Sequence, residues 1–204
     1  MTMVEGSAVE IPPITDDMRE SALGNPNSWL YVIDPAFDPR SEVPPWGIVG
    51  AYPVNAAGEI EPSFDSNDTY RPSPTALRWP EPTTALERMI QLTKAGHRPT
   101  EDLPAAVLDA TVLIYRPAAV PAEGKGKNGL VAFPDRNSGQ LVVPACTSVE
   151  HVPASWPAWR PMLGSAVVAG LGGCALAINA DGPISAIIPA ELLTAYAKAR
   201  QPTG

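Results

Sequence analysis

Clusters of positive charge are missing from this sequence. Fourteen lysines and arginines stand against 22 acidic residues, a formal net charge of −8 over 204 residues. The longest basic cluster is Lys125-Gly126-Lys127. Surfaces that bind nucleic acid or anionic membrane need grouped cations, because displaced counterions drive that affinity. Both are therefore excluded as expected partners. Long apolar runs are also absent: no segment reaches the ~20 residues a membrane span requires. The first residues, MTMVEGSAVEIPPITDDM, show neither the basic start nor the apolar stretch of a secretory signal. The expected place is the cytoplasm, without membrane insertion.

Cysteine and histidine are scarce, with two of each. Cys146 and Cys174 make no disulfide framework, and in a reducing compartment the expectation is two buried thiols. His97 and His151 have no second His or Cys at metal-ligand spacing. The segment SFDSNDTY carries acidic residues but lacks the glycine and the closing glutamate of a calcium loop. Asp16, Asp17, Asp34, Asp38, Asp65 and Asp68 read as solvated loop carboxylates. Gly124-Lys125-Gly126-Lys127 is not framed by the strand and helix of a phosphate cradle. Gly-Leu-Gly-Gly at 170–173 ends a helix, where the dipole repels phosphate. No metal and no cofactor is expected.

Proline is abundant, with 25 residues. It cannot donate to a strand ladder and breaks helix interiors, so its clusters mark joints. Between them, WLYVI (29–33) and GIVGAYPV (47–54) read as strands. Pro53 places the second at an edge or an end. Residues 59–61 read as a short return strand and 62–82 as a connector. Thr84 and Glu87 have capping-box spacing. Leu86, Met89, Ile90 and Thr93 follow at helical spacing, and Gly96 sits where a left-handed cap belongs. A second helix opens at Thr100, and ATVLIY (110–115) turns to strand. Residues 118–128 read as a loop. Strands are expected at 129–133 and 140–145, a helix at 161–171, strands at 175–179 and 184–188, and a last helix from Pro189.

The fold class implied is α+β, a mainly antiparallel sheet with helices packed on it, extended by N-terminal β-strands. The chain divides, on this reading, into a flexible acidic segment (1–24), a hairpin extension with its Pro-rich connector (25–82), and an α+β domain (83–200) continuous with that extension.

The words of the second half resemble the SseB-like family. They are the strand at 106–116, Pro144-Ala145-Cys146-Thr147-Ser148, the turn Ile178-Asn179-Ala180-Asp181-Gly182, and Pro189-Ala190-Glu191-Leu192-Leu193. Cys146 stands where that family has an aromatic residue, and Ala180 where it has proline. The first half, WLYVIDPAFDP, VPPWGIVGAYPV and YRPSPTAL, is similar to actinobacterial type VII secretion system-associated proteins. That resemblance implies an SseB-like fold and a role beside a secretion locus. It implies no catalytic residue.

Three functional expectations follow. The first is a non-enzymatic interaction protein, with a type VII secretion component as partner and Trp46, Trp79, Trp156 and Trp159 as surface candidates. Each of these rings sits in a proline-rich loop, where it either staples the loop or anchors a partner. The second is a small-molecule sensor or enzyme using Cys146 and His151, which needs the thiol and the imidazole within hydrogen-bond reach. The third is a structural homodimer built on a strand edge.

Overall fold

A computed structural model describes residues 11–118 and 129–200. The first ten residues, and the expected loop from 119 onward, lie outside the described residues. The chain divides into two compact units, Met1–Leu77 and Arg78–Gly204. Residues 78–82, read from the sequence as connector, belong to the second: Trp79 packs on its core. Gln91 Nε2 also donates to the Pro80 carbonyl at 2.7 Å.

The first unit begins with α1 (Asp16–Leu23). The sequence reading placed no helix in this acidic segment. Thr15 caps the helix, its hydroxyl accepting from Met18 N, and Asp16 and Asp17 occupy the first turn. Carboxylates there face the positive end of the helix dipole. A three-stranded antiparallel sheet follows, in the order β1 (Ser28–Ile33), β2 (Ile48–Val54), β3 (Asp65–Ser66). The return strand expected at 59–61 is only an isolated bridge between Val54 and Ile60. The third strand lies instead in the segment read as connector. Tyr52 is 2% exposed; its ring tilts against Phe64 at 4.7 Å and its hydroxyl donates to the Pro12 carbonyl at 2.6 Å.

In the second unit the sheet order is β7 (Ala158–Leu163), β4 (Thr111–Arg116), β6 (Leu141–Cys146), β8 (Ala175–Ile178), β9 (Ala186–Ile188). The two-residue β5 (Phe133–Pro134) also pairs with β6. All pairings are antiparallel except β6 with β8. The architecture is α+β, a mainly antiparallel sheet with helices. The helix expected at 161–171 starts three residues later: β7 runs to Leu163, and Gly164–Gly170 forms α4. Gly164 explains the abrupt change. A Cβ on it would stand 1.7 Å from the Val107 carbonyl oxygen, so the chain passes α3 (Leu103–Asp109) with no side chain at all.

The helix α2 (Ala85–Lys94) follows its sequence signals: Thr84 accepts from Glu87 N, and Gly96 adopts a φ of 76°. With α3, α4 and α5 (Ala190–Ala199) it buries one apolar core against one sheet face. Ile90, Val107, Val112, Val143, Val167, Leu176, Ile178 and Leu193 are 0% exposed. Each such side chain contributes roughly 1.5–3 kcal/mol of transfer free energy, which fixes which sheet face turns inward. Among the described residues no helix is long and apolar enough to cross a membrane.

Candidate functional site

Strand alternation assigns the opposite sheet face of the second unit. The register puts Thr111 beside Leu163, Leu113 beside Pro161 and Tyr115 beside Trp159. It likewise joins Leu113 to Cys146, Val142 to Ala175 and Phe133, and Ala177 to Ile187. This face is apolar almost throughout. Its centre is closed, with Cys146, Ala175 and Ala177 at 2% exposure or less. Its border is open: Trp159 and Phe133 are 39% exposed, Ile187 49% and Leu163 59%. Tyr115 is the hub of an aromatic group there. Phe133 meets it edge-on at 5.2 Å and Trp156 at 5.4 Å, with Trp159 its cross-strand neighbour.

The four tryptophans singled out from the sequence therefore separate. Trp156 and Trp159 share the aromatic group around Tyr115. Trp79 is a staple on the core. Trp46 belongs to the first unit, where it packs edge-on against Phe37 at 5.2 Å.

The thiol and imidazole are close in sequence but not paired. Cys146 is 2% exposed, and its Sγ donates to the backbone carbonyl of His151 at 3.2 Å. Burial, reinforced by the charge of Asp181, pushes the thiol up to about 11. At neutral pH it is a protonated packing group. The His151 ring points elsewhere: its Nε2 lies 3.3 Å from Glu87 Oε1.

Glu87 is the centre of the polar site, and sequence reasoning gave it only a capping role. It is 3% exposed. Its Oε2 accepts from Thr83 N at 2.6 Å and from Thr83 Oγ1 at 2.9 Å. Its Oε1 accepts from the Thr147 hydroxyl and faces His151. Thr147 in turn accepts from Asn179 Nδ2 at 2.9 Å, and Thr147 N donates to Asn179 Oδ1 at 3.0 Å. Asn179 holds a left-handed φ of 50°, a conformation its short amide tolerates better than most side chains. Burial raises the Glu87 carboxyl, but the bonds from Thr147 and Thr83 and the nearby His151 outweigh it and hold it below its ordinary 4.5. Both of its oxygens already accept hydrogen bonds from the fold's own donors, Thr83 and Thr147. The arrangement ties the start of α2, the end of β6, the 149–151 turn and the end of β8 together.

The first unit has its own buried carboxylate. Asp34 is 1% exposed rather than solvated, as its loop position suggested. Its Oδ2 accepts from Ser73 N and from the Tyr70 hydroxyl, both at 2.9 Å. Its Oδ1 accepts from Ser73 Oγ at 2.5 Å and Ala36 N at 2.9 Å. Here too burial raises the carboxyl, but the bonds from Ser73, Ala36 and Tyr70 lower it further. Burial and the Asp34 charge push the Tyr70 phenol far up, keeping it a donor.

Two open clefts lie in the second unit. One, of about 580 Å³, is lined by Leu108, Val168, Gly172, Gly173, Thr194 and Lys198 among others. The other, of about 430 Å³, is lined by Tyr115, Arg116, Gly129, Leu130, Val131 and Arg160 among others. Among the described residues no three His, Cys, Asp or Glu side chains converge as metal ligands. The α+β class is the identification that fold and geometry support. Compared with known proteins, the chain matches no family model, no curated protein and no solved structure.

Proposed function

We propose that this chain is a non-enzymatic interaction protein that acts beside a type VII secretion system. The partner is a protein component of that system, and the docking surface is the open border of the second unit's sheet face around Tyr115. The observation that carries this reading is the open aromatic and aliphatic border around Tyr115, with Trp159, Phe133 and Leu163 exposed on one face. Large rings at a partly desolvated patch are the residues on which binding energy concentrates. The choice of partner rests on the resemblance of the first-half segments to secretion-associated proteins. The two buried carboxylates support the non-enzymatic half, since their oxygens are already occupied by the fold's own donors.

The test is photo-crosslinking from position 159 in host cells. The expected product joins the chain to a protein encoded with the secretion apparatus, and Leu163→Asp abolishes it. Crosslinks confined to unrelated proteins, or unaffected by Leu163→Asp in a folded variant, refute the assignment.

A further inference from the structure

We propose that β1 is a self-pairing edge, through which two copies of this chain join into one antiparallel sheet. This rests on the first unit and is independent of the face assigned above. Hydrogen-bond directions along β2 come first. Asn67 N donates to the Val49 carbonyl at 3.1 Å and Glu61 N to the Pro53 carbonyl at 2.9 Å, so the odd residues of β2 turn away from β1. Pro53, opposite Trp29 in the register, has no N–H to give. The ladder to β1 therefore uses Ser28, Leu30 and Val32, paired with Val54, Tyr52 and Gly50. The backbone groups of Trp29 and Tyr31 point to the side of the sheet on which, among the described residues, the strand order ends at β1. Their side chains are 50% and 59% exposed.

Edge strands are ordinarily blunted by charge, proline or brevity. In the second unit β7 carries Pro161 and β9 has three residues. β1, SWLYVI, is six residues long with neither proline nor a charged side chain. Such an edge accepts an extended strand, and a second copy fits it by symmetry. A two-fold axis through Leu30 sets Trp29 opposite Tyr31 of the other copy, twice. Both residues present outward N–H and C=O groups, so each pair closes two hydrogen bonds. The same register stacks two tryptophan–tyrosine pairs across the strands. No acidic side chain lies in the joined segments, so the net charge of −8 does not oppose the pairing locally.

The experiment is sedimentation equilibrium of the full chain over a wide concentration range, with melting curves as the folding check. The wild type is expected to dimerise. Tyr31→Pro removes an outward N–H that the monomer's ladder does not use, and is expected to leave folded monomer. The double variant Trp29→Lys with Tyr31→Lys places like charges opposite each other and is expected to associate at least about tenfold more weakly. Trp29→Lys with Tyr31→Glu restores opposite charges in this register alone, and is expected to dimerise again. A wild type that stays monomeric throughout overturns the proposal, as does a dimer indifferent to both lysines. Failure of the lysine–glutamate variant to associate when the double-lysine variant is monomeric overturns the register.

Discussion

Asp34 and Glu87 do the same task in different units with different company. Asp34 is held by a serine, a tyrosine and two backbone amides, all permanently neutral donors. Glu87 is held by two threonines and, at its more open side, by His151, whose side chain is 23% exposed. The first is a closed knot; the second has one replaceable partner facing water. A buried carboxylate thus needs no cation when enough dipoles converge on it.

The largest effect expected from breaking this comparison is Asp34→Ala. It leaves Ser73 N, Ser73 Oγ, the Tyr70 hydroxyl and Ala36 N without their acceptor, and should destabilise the chain by about 3 kcal/mol or more. Denaturant unfolding measures it, and hydrogen exchange should show the loss of protection at Ser73. Glu87→Gln comes next. The shape is kept, but the amide faces the Thr83 and Thr147 donors with one oxygen instead of two. A cost of about 2 kcal/mol is expected by the same measurement.

Acid should reveal both carboxylates together. Each is more acidic folded than its ordinary value of 3.8 or 4.5. Their contribution is complete above those values, and is lost as pH falls through the lower folded ones. The melting temperature should therefore drop below about pH 4.5, and the drop should be shallower in Asp34→Asn and in Glu87→Gln. His151→Ala is the smallest change. It removes one contact at a partly exposed ring, so about 0.5 kcal/mol is expected. A loss as large as that of Glu87→Gln would show that the imidazole, not the threonines, holds the carboxylate.

Much of the fold was legible because its signals are local. Thr84 immediately precedes α2, Gly96 lies two residues beyond its last residue, and Pro189 announces α5. The failures have physical causes. In α1 the polar composition hid the helix: only Ala22 is buried, so there is no apolar stripe to read. In β7 the proline that suggested a joint sits on an edge strand, where a missing N–H is tolerated. Leu163, which falls within the expected helix, is instead the exposed last residue of that strand. The first four residues of the expected 129–133 strand fall outside the observed one, with only a single bridge at Val131, leaving Phe133–Pro134 as β5.

The polar site was half legible. The Thr84–Glu87 spacing marked a helix start, but the carboxylate reaches back to Thr83 and across 60 residues to Thr147. Thr147 and Asn179 stand in separate sequence segments, the latter in a turn. Their partnership spans 32 positions, and no periodicity encodes it. Cys146 was legible as a core group because it ends an apolar strand, and its burial follows from that place.

The single parallel pairing has a consequence for synthesis. Val143 and Ala145 on β6 are flanked by β8, which emerges only after β7 and α4 have been made. A nascent chain halted before residue 175 leaves that side of β6 with its amides and carbonyls unmatched. The second unit therefore cannot complete itself piecemeal as the ribosome advances; it must wait for nearly its whole length.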